Sequence, residues 1–209
     1  MNKERDFDLA ALSWDEEPRR VRLARNVTGA IIETLCPDRT MDVLDFGCGT
    51  GLVTLQLHPL VRHIVGVDSS QGMLSVLDQK IRERAITNVD TLWCNSDMDK
   101  LLADRFHLVI SSMTLHHVPE PAKLFTRFFD LLVPGGTIGI ADLDAEDGNF
   151  HDNPAGVYHH GFHREGLTAL LMKTGFVNFK AMTADVIVKG EAPAAREYPV
   201  FLVTACRPK

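Results

Sequence analysis

The sequence contains no run of about 20 apolar residues, so no segment offers the length of a membrane-spanning helix. The first residues, Met1 to Asp6, lack the apolar stretch of a secretory signal. Cysteine is sparse: Cys36, Cys48, Cys94 and Cys206 are widely spaced and form no Cys-x-x-Cys pair. That usage excludes a disulfide framework and a cysteine-based zinc site, and it fits a reducing compartment. A cytoplasmic location is the expectation. Basic residues are outnumbered, 22 Lys and Arg against 28 Asp and Glu, for a net charge of −6. Such a balance argues against a dedicated nucleic-acid binder. Internal repeats and low-complexity segments are also lacking.

What is present is the pattern of one α/β unit. A chain of 209 residues with 45% hydrophobic content can bury a substantial core. The expected organisation is a single domain over 1–209, with a helical cap in 1–38 and a Rossmann-like core in 39–209. Apolar residues three or four apart (Val21, Ala24, Val27, Ile31, Leu35) predict an amphipathic helix over 16–35, with Asp15 as its N-cap. Strands are expected at 41–46, 63–67, 89–94, 106–111 and 137–143. Helices are expected after Gly51 and at 70–84, 97–102, 121–132 and 164–174, the last ending at Gly175. Two closing strands, 177–182 and 199–205, have no clear helix between them, so one of them should run antiparallel. Helical crossovers between strands imply a three-layer sandwich with a seven-stranded, mostly parallel sheet.

The chemistry concentrates in three places. Asp45-Phe46-Gly47-Cys48-Gly49-Thr50-Gly51 follows the first strand, and its glycines let the backbone turn sharply and approach a ligand. A dinucleotide fingerprint would need glycine where Leu52 stands, and no Gly-x-x-x-x-Gly-Lys phosphate loop exists. The carboxylate of Asp45 instead suits a cationic amino-acid group. Asp68, 17 residues beyond Gly51 and at the end of the second strand, can accept both hydroxyls of a ribose. Asp97-Met98, past the third strand, can accept from an adenine amino group and pack a thioether on the ring. The ligand these imply has an amino-acid end, a ribose and an adenine.

Val43-Leu44-Asp45-Phe46-Gly47-Cys48-Gly49-Thr50-Gly51, Gly66-Val67-Asp68-Ser69-Ser70 and Leu131-Leu132-Val133-Pro134-Gly135-Gly136 together resemble the class I S-adenosylmethionine-dependent methyltransferases. The closest flavour is the small-molecule, ubiquinone-biosynthesis-like branch, and the resemblance covers roughly 15–205. It implies an antiparallel seventh strand and S-adenosylmethionine as cofactor, with S-adenosylhomocysteine as product. It places Asp45, Gly47, Cys48, Gly49 and Gly51 at the methionine end and Asp68, with Ser69 beside it, at the ribose. Asp97 and Met98 fall at the adenine, Met73 against the adenosine, and Ser112 beside the methionine moiety. The implied acceptor is a small molecule methylated on O, N or S. Alternatives are a non-catalytic S-adenosylmethionine-binding module and a nicotinamide-dependent oxidoreductase.

On the acceptor side, His116 and His117 follow the fourth strand, where a neutral imidazole could take a proton from the acceptor. Shaping the pocket is the competing role. A polar loop over 144–162 contributes His151, His159 and His160; with His163 these are four of the nine histidines within 13 residues. Substrate recognition or acid–base work by His151, His159 or His160 is one reading and a solvated lid another; no spacing fixes a metal geometry, and no metal is expected. Trp14 is a candidate to stack near the sulfonium or an ordinary core aromatic. Arg19, Arg20, Arg22 and Arg25 form a solvated face unless one reaches the methionine carboxylate.

Overall fold

The computed structural model describes residues 7–94 and 105–209. The expected helix over 97–102 lies outside them. The chain begins with a single helical turn, α1 (Phe7–Ala10), and a 3-10 segment, Ala11–Glu16. Helix α2 (Pro18–Leu35) leads to β1 (Asp42–Phe46), the short α3 (Thr54–Leu57) and β2 (His63–Asp68). Then come α4 (Gln71–Glu83), β3 (Val89–Trp93), β4 (Phe106–Ser112), α5 (Pro121–Leu131) and β5 (Leu132–Leu143). Helix α6 (Arg164–Thr174) and the hairpin of β6 (Val177–Lys189) and β7 (Arg196–Cys206) complete the fold. The sheet order is β3-β2-β1-β4-β5-β7-β6, with β7 antiparallel to both of its neighbours. The mostly parallel sheet with an antiparallel last strand is as the sequence pattern predicts.

Side chains of a strand alternate between faces, and the central strands carry apolar residues on both. In β1, Val43 joins the layer under α2 with Val27, Ile31, Leu108 and Ile110. Its neighbour Leu44 joins the opposite layer, beneath α5 and α6, with Phe125, Phe128, Leu167 and Leu171. Among the described residues, no helix is long and apolar enough to cross a membrane.

Three local expectations are corrected. The α2 N-cap is Glu17, whose side chain accepts the Arg19 N–H, because Pro18 occupies the first helical position; Asp15 is drawn elsewhere. Strand β5 begins at Leu132 rather than 137, since Pro134-Gly135-Gly136 forms a bulge between the pairs Phe106↔Leu132 and Leu108↔Thr137. Strand β6 runs on to Lys189, past a register shift between Thr183 and Asp185 that breaks the alternation expected of a strand.

Phe128 is fully buried and meets the Phe46 ring edge-on at 5.3 Å, which ties α5 to the end of β1. Phe128→Ala should lower unfolding stability by about 3–5 kcal/mol, read as a shifted urea midpoint at unchanged slope.

Candidate active site

Strand β1 pairs in parallel with β2 on one side and β4 on the other. The chain leaves β1 outward to β2 and β3, then returns across to β4. That reversal lies at the carboxyl ends of β1 and β4, where open α/β sheets form their crevices. A cavity of about 850 Å³ opens there.

One end of the cavity is the glycine turn. Gly47 and Cys48 donate their N–H groups to the Val67 carbonyl at 2.7 and 3.1 Å, and Gly49 donates to Asp68 Oδ2 at 2.8 Å. The turn is thereby laced to the end of β2. Gly47, Gly49 and Gly51 all have positive φ, at 75°, 54° and 84°. Their roles nonetheless differ. A Cβ on Gly47 would collide with the Thr114 side chain, and one on Gly51 with Leu77, whereas one on Gly49 would meet nothing within 4 Å. Gly47 and Gly51 serve close packing, and Gly49 leaves room at the cavity wall.

Two acids flank this turn. Asp45 is buried, with Oδ2 accepting from the Thr54 hydroxyl at 2.5 Å. Burial pushes its carboxyl up to about 7, against the Thr54 hydrogen bond and with a smaller push from the Asp68 charge. Asp68 is also raised by burial, offset by N–H donors of Ser70, Gly49 and Ser69. Burial and the neighbouring acids push the Cys48 thiol well up, so it packs as a neutral side chain.

The other end is a wall of imidazoles. His116 and His117 lie in the 3-10 turn Leu115–His117 after β4. His116 Nδ1 is 2.7 Å from Asp142 Oδ1, and both side chains are buried. His117 Nδ1 donates to the Gly156 carbonyl at 2.7 Å. Ring centroids of His116 and His117 are 4.2 Å apart, and His151 lies 4.9 Å from His116. The loop between β5 and α6 brings His151 and Gly156 here by docking on the turn, with Tyr158 and His159 N–H groups donating to the His116 carbonyl.

The N-terminal segment closes over the crevice. Asp8 accepts from Ser70 Oγ at 2.5 Å and from the Gly72 N–H at 2.7 Å, at the start of α4. These bonds hold its carboxyl below the ordinary range. Asp15 accepts from Thr50 Oγ1 at 2.5 Å and pairs with Lys80. The Phe7 ring stands edge-on to His117 at 5.3 Å and 5.9 Å from Trp14. Trp14 lines the cavity, but the cation over its ring is Arg20, at 3.8 Å. Arg22 pairs with Asp185 instead of facing solvent alone.

Of the residues the sequence singles out, Asp45, Gly47, Cys48, Gly49, Asp68, Ser69, Met73 and Ser112 line the cavity together with His116, His117 and His151. Gly51 does not, because it faces Leu77. His160 stands off the cavity, half exposed, with Nδ1 3.6 Å from Glu146 Oε1, and His159 Nε2 donates to the Val118 carbonyl at 3.0 Å. Asp97 and Met98 lie outside the described residues. Sequence reasoning did not pair Asp142 with His116, although an acid inside the apolar run of β5 was a signal. It also missed Asp8, which carries no signal that sequence alone offers. Among the described residues, no group of three potential metal ligands comes together.

The two glycines make a paired test. Gly49→Ala should cost only the left-handed backbone penalty of about 1–2 kcal/mol. Gly47→Ala adds overpacking against Thr114, about 1–3 kcal/mol more. Thermal melts of the two variants should rank them in that order.

Comparison with known proteins fits this geometry. A family described as a methyltransferase domain matches residues 43–136, from β1 to the bulge in β5. An uncharacterized methyltransferase of Schizosaccharomyces pombe, C1347.09, is 35% identical over 168 residues, covering 73% of this chain and 57% of its own length. A ubiquinone biosynthesis O-methyltransferase of Albidiferax ferrireducens is 28% identical over 148 residues, 68% of this chain and 58% of that protein. The chain thus spans little more than half the length of these curated relatives. The solved structure of Haemonchus contortus phosphoethanolamine N-methyltransferase 2, in complex with S-adenosyl-L-methionine, shares the fold with a TM-score of 0.69 at 18% identity. That match covers 87% of this chain and 52% of the other. Neither a non-catalytic module nor a nicotinamide oxidoreductase is favoured by these relatives. With its glycine turn, its strand order and these relatives, the chain belongs to the class I S-adenosylmethionine-dependent methyltransferases.

Proposed function

We propose that this protein transfers the methyl group of S-adenosylmethionine to a hydroxyl of a small, ring-bearing organic acceptor. The observation that carries the reading is one continuous cavity, lined at one end by Gly49, Asp68 and Met73 and at the other by His116, His117 and His151. Donor and acceptor ends are thus in one space.

The residues present fit the donor. Gly49 leaves room at the wall, Asp45 offers a buried carboxylate to an ammonium, and Asp68 offers oxygens to ribose hydroxyls. Met73, 2% exposed, supplies an apolar and polarisable surface for the adenosine. Bound here, S-adenosylmethionine supplies a methyl group already activated by the sulfonium. The protein's own work is alignment, exclusion of water and removal of a proton. The N-terminal segment and the docked loop enclose the space, and alignment of this kind is worth several kcal/mol. The imidazole wall accepts the proton. Rings of Phe7, His117, His116, His151 and Phe150 follow one another in edge-on and tilted contacts, a surface suited to a flat acceptor. A relative named for O-methylation supports the choice of hydroxyl.

Transfer of tritium from methyl-labelled S-adenosylmethionine to catechol tests the reading, beside calorimetry with S-adenosylhomocysteine. Absence of binding would remove it. Asp68→Ala should weaken S-adenosylhomocysteine binding by about 1–3 kcal/mol through lost hydrogen bonds to the sugar; unchanged affinity would refute the ribose assignment.

Binding should also depend on pH. Below about 7 the Asp45 carboxyl is protonated in the free protein, and an arriving ammonium must expel that proton. Affinity should therefore fall as pH drops, by up to about tenfold per unit below the folded value. The free fold responds in the opposite sense. An acid raised by folding contributes stability below its ordinary value near 3.8 and loses that contribution as pH rises through about 7. Asp45→Asn should flatten both profiles, measured by calorimetry and by melts between pH 5 and 8.

A further inference from the structure

Asp142 is a fully buried acid whose contacts the reading above leaves unused. Its Oδ1 accepts from His116 Nδ1 and from the Leu143 N–H, both at 2.7 Å, and its Oδ2 from the His116 N–H at 3.2 Å. Among the described residues no lysine or arginine reaches it, and its one ionic partner is His116. A carboxylate taken out of water without a cation is costly, and the cost falls when its partner becomes charged.

His116 is 1% exposed yet lines the cavity. Because both Asp142 oxygens accept, the ring proton lies on Nδ1, and Nε2 keeps its lone pair. His117 holds the same tautomer, but the group behind its Nδ1 is the neutral Gly156 carbonyl. With centroids 4.2 Å apart, the two rings would repel each other if both were cationic. The buried anion stands directly behind His116.

We infer that Asp142 is a positioning residue that holds His116 as the base that deprotonates the acceptor. The inference rests on the methyl-transfer reading of this cavity. In the step, the acceptor O–H bond breaks and its proton passes to His116 Nε2. The oxygen bonds to the methyl carbon, and the electron pair of the broken C–S bond stays on sulfur, leaving a neutral thioether. The imidazolium so formed is neutralised in place by Asp142, the carboxylate–imidazole arrangement that holds a base in its productive tautomer.

Long-range proton–nitrogen spectra of the ¹⁵N-histidine-labelled protein test this without any acceptor. The wild type should show His116 with a proton on Nδ1, far downfield through its carboxylate partner, and an unprotonated Nε2. Asp142→Asn should abolish that downfield proton and leave the His117 signals in place. In methyl transfer to catechol, Asp142→Asn and His116→Gln should each lower kcat by about 10²–10⁴-fold, at unchanged KM for S-adenosylmethionine. The deficit should shrink at pH values where catechol ionises unaided. His117→Gln should cost less than either of these substitutions. A wild-type His116 protonated on Nε2, a downfield proton that survives in Asp142→Asn, or a larger loss from His117→Gln than from His116→Gln would overturn the inference. If catechol is not an acceptor, the wild-type spectrum decides alone, and it needs no variant to fold. Failure of S-adenosylhomocysteine to bind would sink the broader reading while leaving the spectrum to judge the dyad.

Discussion

The double parallel pairing of β1 is the constraint on which the site depends. With β2 on one side and β4 on the other, the carboxyl ends of three strands lie together. A glycine turn after β1 then has β2 to lean on, and it does so through the Val67 carbonyl and the Asp68 carboxylate. The 3-10 turn after β4 rises on the other side, and Thr114 fills the space that a side chain on Gly47 would need. Donor end and imidazole wall are therefore consequences of one strand order. A sheet that placed β4 elsewhere would keep the motif and lose the cavity.

The parts of this arrangement that were legible in the sequence are those encoded locally. Helix α6 and its glycine cap fall where a 3.6-residue pattern ends in a residue tolerant of positive φ, and Gly175 has φ of 109°. The turn at 45–51 was legible because positive φ at three of its positions restricts the residue types it can hold, and Asp68 stands at the strand end where the pattern put it. The bulge at 134–136 and the long reach of β6 were not, since a bulge breaks the very alternation from which a strand is read. Asp15 has the residue type of an N-cap, yet Thr50 and Lys80 compete for it across the fold, and tertiary contacts win.

The same limit explains the histidines. His116, His117, His151 and His160 are alike in a sequence, and only three-dimensional neighbours separate them. Asp142 stands behind the first, a backbone carbonyl behind the second, and Glu146 beside the last, away from the cavity. Asp8 is a further case. Its role at the start of α4 depends on the approach of two segments 62 positions apart, for which no local pattern exists.

The charges around the cavity point to a division of labour between its ends. Asp45 and Asp68 are both raised by burial, and the Asp68 charge adds to the rise of Asp45. A cationic donor relieves that strain on arrival, so the donor end favours a positive ligand over a neutral one. At the imidazole end, His116 offsets Asp142 only when it holds an extra proton. Loss of the sulfonium charge and gain of the imidazolium charge would then occur together in a single turnover. On that reading positive charge would leave the sulfur and reappear beside the buried Asp142, while the ammonium facing Asp45 would be carried unchanged into the product.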